Sequence, residues 1–466
     1  MNGKRLIPYL FIVLMGVIVF LIPIGSADEL WNYNFAKCIS KGLLPYRDFS
    51  MVPTPLSACF PALLMLLFGR GLIIQRIAAY LLIVLLFSLL FYVSNLIYED
   101  VIMSMMRSLF AMALLVLVYQ YDYNHVMILE LLIIYAVILK DKGHFTSLVT
   151  GFLSGLAILI KQNTGVAVFV VNAVICLFYV VKGNERKKYL FRFIISLIPG
   201  MLFLSYLWIT QTLDDFWDYA IYGVTTFKQR ISLVDQIRNH SVVGVFFLAF
   251  LFWVGVAGIR CVREKGNARS KELFLYALAG LSVVYPLCDA PHMIAGVIPM
   301  IPVLSIFAQK RLGGYGRLAT ITAVLCMCSM AFFTKLPIHG EIICSMPNYE
   351  GMYIKKDLEE LLCVVNDYVM KKEAQQFRVR FADQSAAFFN IPMDTYEKNW
   401  DMLNIGNFGT NTIEGLLGED HNYLYFVYRN EEDLGLQSHF ELIHYIKKHY
   451  EKIDEVLCFD VYKSTN

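Results

Sequence analysis

Charge is what this sequence is short of. Asp, Glu, Lys and Arg supply 17% of its 466 residues, against about 25% in soluble globular domains. Together with a hydrophobic share of 58%, that scarcity excludes an ordinary water-soluble protein. Neither sign dominates: the net charge is +2, without the basic excess of a nucleic-acid binder, so nucleic acid is not an expected partner. There is no C-x-x-C, which argues against a zinc or redox motif. Cys176, Cys326 and Cys328 lie inside apolar runs, where a thiol behaves as a small hydrophobe. Cys344, Cys363 and Cys458 fall in the polar tail, and sequence leaves their pairing open. The tail has no glycine-rich phosphate loop or nucleophile elbow, and the chain shows neither internal repeats nor low-complexity segments.

What is present is a series of long apolar runs. The first, Leu6 to Ile24, follows Lys4 and Arg5 and is close to the ~20 residues a spanning helix needs. Gly25-Ser26-Ala27 could be read as a signal-peptidase site. More apolar runs follow, and the run is expected to remain as a membrane anchor. Further runs lie at about 54–68, 73–97, 102–119, 125–139, 145–160, 164–181, 190–210, 241–259, 272–286, 293–307 and 318–334. The expected architecture is an all-α polytopic membrane domain of about 11–13 transmembrane helices, some of the runs being shorter than a full crossing. It occupies residues 1–336, and a small extramembrane α/β domain occupies 337–466.

Lys and Arg in short loops orient the spans. Lys4-Arg5, Lys182 to Lys188, Arg260 to Lys271, and Lys310-Arg311 with Arg317 read as cytoplasmic. This places the segment 211–240, the turn Cys288 to His292 and the tail on the extracytoplasmic side. Asp28 is then also external, whereas Lys140 to Lys142 reads as cytoplasmic. Four apolar runs separate them where an odd number is required. One run in 54–139 must therefore be re-entrant or interfacial, and 102–119, which carries Arg107, is the weakest span. The segment 211–240, with Asp214, Asp215, Trp217, Asp218, Tyr219 and Tyr222, is expected to form an amphipathic surface helix. In the tail, Tyr353 to Lys372 has helical periodicity, as does 436–450. Phe377 to Phe381, Tyr423 to Tyr428 and Glu455 to Tyr462 read as strands.

Polar residues cluster between the runs. Asp28 and Glu29 open the first external loop, 25–53. A carboxylate at the mouth of an apolar cavity can take a proton from an attacking hydroxyl, and its neighbour can hold a divalent cation; the plainer reading is a solvated pair ending the first helix. Tyr46-Arg47-Asp48 closes the same loop. Arg47 offers a planar fork to phosphate, or a local contact to Asp48. Lys37 and Lys41 read as interface anchors. Lys161-Gln162-Asn163 interrupts two apolar runs, so Lys161 must snorkel or meet an anion. Asp289 and His292, three residues apart, can bind a cation or phosphate, or stabilise a turn. Tyr121 to His125 reads first as an ordinary turn.

The order of several motifs resembles that of the polytopic GT-C glycosyltransferases, in the bacterial branch related to protein mannosyltransferases and the aminoarabinose transferase of lipid A. They are Asp28-Glu29 after the first span, G-x-x-P-Y-R-D-F from Gly42 to Phe49, and Pro53 and Pro55 opening the next run. Leu67-Phe68-Gly69 with Arg76 follows, then G-x-x-x-G-L-A-x-L-x-K-Q from Gly151 to Gln162, and D-x-x-H at Asp289 and His292. The resemblance implies an inverting membrane glycosyltransferase. Its donor would be a polyprenyl-phosphate sugar, its acceptor a lipid, glycan or protein, and its site would face outward from the cell membrane. Asp28 would be the general base and Glu29 a helper or ligand to a divalent cation (Mg or Mn). Lys161 and Arg47 would contact the donor phosphate, and Tyr46, Asp48, Gln162, Asp289 and His292 join them as substrate-binding residues. The chain carries one acidic pair and no second Asp-Glu. A transporter or flippase of lipid-linked sugars is the competing class; it would share the lipid groove without needing Asp28, and would be expected to show internal repeats and broken midplane helices.

Overall fold

A computed structural model describes residues 6–116, 121–183, 185–225, 232–239, 241–263, 268–308, 341–383, 385, 387–389, 417, 422–430 and 439–464. The helices, in chain order, are α1 Ile7–Gly16, α2 Ala27–Ser40, α3 Leu56–Phe68, α4 Leu72–Tyr98, α5 Val101–Val116, α6 Tyr123–Lys140, α7 His144–Leu156, α8 Gln162–Lys182 and α9 Arg186–Thr210. Then come α10 Leu213–Phe216, α11 Leu233–Asn239, α12 Ser241–Arg263, α13 Ala268–Gly280, α14 Ala290–Val297, α15 Met300–Ala308, α16 Lys356–Glu373 and α17 Phe440–His449. The expected span at 318–334 lies outside the described residues.

The chain divides into two compact units. One combines residues 1–19, 79–206 and 230–336; the other combines 20–78, 207–229 and 337–466. The first loop region and the 207–229 segment cluster with the C-terminal domain rather than with the helical bundle.

In the bundle, long helices turn apolar side chains outward. Val166, Val170, Val174, Phe178 and Val181 make an exposed stripe along α8, and Leu190, Ile194, Leu202, Trp208 and Ile209 do so on α9. Such faces are untenable in water and suit lipid. Among the described residues, five helices are long and apolar enough to cross a membrane: Leu72–Tyr98, Tyr123–Lys140, Gln162–Lys182, Arg186–Thr210 and Gly244–Arg263. The apolar helices Ile7–Phe20, Leu56–Phe68, Val101–Leu115 and His144–Leu159 are shorter. Close packing rests on glycine: a Cβ at Gly151 or Gly155 of α7 would strike the backbone of Arg192 or Ser196 on α9. The G-x-x-x-G portion of the sequence motif is thus a helix contact. Buried polar groups join the same helices. Arg192 pairs with Glu272 at 2.6 Å, and it donates to Asn172 Oδ1 at 2.7 Å and to the Tyr276 hydroxyl at 2.6 Å.

In the second unit, the region expected as an external loop is mostly helical. Ser26, in an extended conformation, caps α2. Helix α3 packs on α2. It has 13 residues with Pro61 inside, about 20 Å of helix against the ~30 Å hydrocarbon core. Both Leu56–Phe68 and Val101–Leu115 are shorter than the five helices long enough to cross a membrane. Arg107 of α5 lies over the Tyr98 ring at 3.8 Å.

The expected surface helix at 211–240 is broken into α10, a π-helical turn at Trp217–Tyr222, a short turn at Gly223–Thr225, and α11. The C-terminal sheet has the order β3-β4-β6-β5, from β3 Arg378–Phe381, β4 Tyr423–Tyr428, β5 Glu451–Val456 and β6 Phe459–Lys463. The β3–β4 pair is parallel and the others antiparallel. The single strand expected at 455–462 is this β5–β6 hairpin. An antiparallel pair, β1 Glu341–Ile343 and β2 Tyr353–Lys355, precedes α16. Cys344, Cys363 and Cys458 carry free thiols.

The glycine contact gives a direct test. Gly155→Ala should cost about 1–3 kcal/mol through overpacking, lowering the thermal unfolding midpoint in detergent. Gly200→Ala, at a position with open space around it, should leave that midpoint unchanged.

Candidate functional site

The candidate residues fall into two groups, one in each unit. In the unit that includes residues 20–78, the helix α2 starts at the acidic pair, so both carboxylates lie in its first turn, where the helix dipole favours them. Their fates then diverge. Asp28 is exposed, and its backbone carbonyl accepts from Asn32 Nδ2 at 2.8 Å. Glu29 is 3% exposed, and the fork of Arg76 engages both of its oxygens, Nη2 at 2.7 Å from Oε2 and Nε against Oε1. Arg76 also donates from Nη1 to the Ile22 carbonyl at 2.9 Å. Glu29 was expected to help catalysis or hold a cation. A carboxylate clasped on both oxygens by a guanidinium does not fit a metal ligand. Among the described residues no group of three or more His, Cys, Asp or Glu is arranged to hold a metal ion.

The Tyr46-Arg47-Asp48 turn closes on itself. Tyr46 has a φ of 70° and is buried; its hydroxyl donates to the Pro53 carbonyl at 3.0 Å and its ring meets the edge of Phe216. Asp48 Oδ2 accepts the Leu44 N–H at 2.7 Å, and Arg47 forks onto Asp48 at 2.9 and 3.0 Å. The Arg47 hydrogen bond and then the Leu44 N–H hold the Asp48 carboxyl below the usual carboxylate range. Tyr46 and Asp48 shape this turn, and Arg47 has the local contact that sequence offered as its plainer role.

In the helical bundle, three separate turns meet. Lys161, in an extended conformation at the start of α8, is buried. Its Nζ donates to Asn124 Oδ1 at 2.7 Å and to the Val283 carbonyl at 3.3 Å, and lies 5.2 Å from the centre of the Tyr123 ring. Asn163 Nδ2 donates to the Ser282 carbonyl at 3.2 Å and to the Tyr285 carbonyl. Asp122 caps α6 through the N–H groups of Asn124 and His125 at 2.6 and 3.1 Å. Asp289 caps α14, accepting from His292 N at 3.0 Å and meeting His292 Nδ1 at 2.6 Å. Gln162 is half-buried beside them. At the other end of α6, Arg269 pairs with Asp141 at 2.9 Å, so the loops read as sharing one side of the membrane do meet.

Lys161, Asn163, Asp289 and His292, from two of the turns singled out in the sequence, lie in this cluster. Sequence undervalued the turn at 121–125, which supplies Asn124, Tyr123 and Asp122 to Lys161. The readable signal was a helix-capping Asp beside an Asn and a His between two apolar runs.

Burial pushes the Lys161 amine down to about 7, against the opposing pull of the Asp122 and Asp289 carboxylates. Burial raises Asp289, but the His292 hydrogen bond and charge, with Lys161 behind them, leave its carboxyl below the ordinary range. The cluster can therefore present a cation whose charge is sensitive to what binds near it.

No family model matches the chain, and no curated protein matches it. Among solved structures it is similar to ArnT from Cupriavidus metallidurans bound to undecaprenyl phosphate, with a TM-score of 0.52, 14% identity, and coverage of 79% of this chain and 71% of that one. The apo state of the same protein gives a TM-score of 0.51 at 14% identity, covering 84% and 73% of the two chains. The shared property is the fold.

The Lys161 burial has a pH signature. An unfolded chain holds this proton to the ordinary lysine value of 10.5, whereas the folded amine releases it near 7. Between those values the unfolded state binds more protons, so this group makes folding more favourable as pH rises. Lys161→Met should flatten the rise of the thermal midpoint between pH 7 and 10; an unchanged profile would contradict the assignment.

Proposed function

We propose that this protein is a membrane glycosyltransferase that uses a polyprenyl-phosphate-linked sugar as donor and works on the extracytoplasmic side of the cell membrane. The observation that carries the reading is the fold shared with a protein captured with undecaprenyl phosphate. The lipid-compatible faces of α8 and α9 and the buried cation at Lys161 support it.

A lipid-phosphate donor requires an apolar groove for its chain and a cation for its phosphate. Lys161 supplies the cation, and His292, held by Asp289, is the adjoining donor. As the glycosidic bond to phosphate breaks, negative charge grows on the leaving phosphate, and a cation positioned there stabilises it. The acceptor hydroxyl attacks the anomeric carbon from the opposite face, inverting its configuration and losing a proton to a base. Asp28 is that base: it is exposed, in contrast to Glu29, and stands in the first turn of α2. Glu29 acts on it indirectly, by locking the start of α2 through Arg76. A divalent cation at Glu29 is not part of this reading, and no step is drawn through one. The sugar is transferred to a lipid, glycan or protein hydroxyl.

The decisive experiment incubates the purified chain with radiolabelled polyprenyl-phosphate sugars and a membrane extract. Label should move to an acceptor; label that only crosses a vesicle wall would instead establish a transporter or flippase. Asp28→Asn should reduce transfer by about 10²–10⁴-fold, the usual contribution of a general base, with expression and membrane insertion intact. Normal turnover by that variant would refute the base assignment.

A further inference from the structure

A second cationic site lies apart from the residues invoked for sugar transfer. In the unit containing residues 20–78, a cavity of about 550 Å³ is lined by Lys37, Met65, Leu66, Gly69, Arg70, Pro347 and Asn348. Two of these are cations, and none of the described lining residues is a carboxylate.

The corner is built rather than accidental. The Ser40 hydroxyl donates to the Lys37 carbonyl at 2.7 Å and accepts from Arg70 Nε at 3.0 Å, while Arg70 Nη2 donates to the Ser40 carbonyl at 3.1 Å. One serine thus fixes both cation-bearing segments. The Tyr33 hydroxyl donates to the Arg70 carbonyl, and its ring lies 5.7 Å from Lys37 Nζ. Lys37 is 3% exposed, so it is not the outward-reaching interface anchor expected from sequence. Gly69 and Asn348 adopt positive φ values of 100° and 65°, and the Asn348 carbonyl accepts the Leu72 N–H at 2.8 Å. These contacts fix the floor and rim of the cavity.

We infer that this cavity binds the phosphate of an anionic membrane lipid. A planar guanidinium and an ammonium lining one cavity suit a phosphate group. The apolar part of the wall favours a lipid head group over free phosphate. Met65 and Leu66 line the cavity, and Leu63, Leu66, Leu67 and Phe68 expose a continuous apolar surface along the same end of α3. An exposed apolar face of this kind suits lipid rather than water. The inference does not rest on the sugar-transfer reading.

The test uses the delipidated full chain in detergent, titrated with fluorescent phosphatidylglycerol and with fluorescent phosphatidylcholine. Wild type should prefer phosphatidylglycerol. Arg70→Gln should weaken its binding about tenfold, as expected for one lost hydrogen bond to a charged group. Leu66→Glu, which adds a carboxylate to the wall at an exposed position, should weaken it at least as much. Both variants must keep the wild-type thermal midpoint; if Arg70→Gln does not, Leu66→Glu alone decides. Undiminished phosphatidylglycerol binding by Leu66→Glu would overturn the proposal. Displacement of the lipid by millimolar inorganic phosphate would overturn the lipid as occupant, showing a site for free phosphate.

Discussion

The clasp between Arg76 and Glu29 governs how the segment after α1 is laid down. Both side chains are almost entirely out of solvent, and an isolated charge there would be untenable; removing one partner of a buried pair typically costs about 3–5 kcal/mol. The start of α2 is therefore tied to the start of α4, with the Ile22 carbonyl included in the knot. Asp28, one residue before Glu29, inherits its position from this constraint. An exposed carboxylate is thus held next to one that is buried and paired.

The helical bundle applies the same rule of compensation. Arg192 is met by Glu272, Asn172 and Tyr276, and Lys161 by Asn124 and a backbone carbonyl. The two cations differ in what surrounds them. Arg192 has a carboxylate partner and serves to join helices. Lys161 has neutral oxygen acceptors at hydrogen-bond distance, with Asp122 and Asp289 acting on it only through space. A cation with neutral first partners is the one that has most to gain from an arriving phosphate.

Much of the fold was legible because it is written locally. Apolar runs marked the helices at 125–139, 164–181 and 190–210 to within a few residues of α6, α8 and α9, and alternation marked β4 at both ends. The run at 54–68 folds as a 13-residue helix with Pro61 inside it, packed on α2, a contact that composition does not announce. The strand expected at 455–462 became a hairpin because Leu457, with a φ of 52°, turns the chain in the middle of it. Glu29 and Arg47 show the same dependence on tertiary contacts. Each has the right chemistry for a ligand, and each is occupied by a partner, Arg76 for the first and Asp48 for the second.

By itself the sequence determined that the chain belongs in a membrane, which segments are helical, and that polar turns would gather at particular ends of them. Those are consequences of hydropathy, periodicity and charge counted along the chain. Only the tertiary structure decided which carboxylate is buried, that the turn at 121–125 serves Lys161, and that Lys37 and Arg70 share a cavity. Those facts depend on which distant groups come within hydrogen-bonding distance, and a charge in a low-dielectric interior takes its character from its partners rather than from its neighbours in sequence.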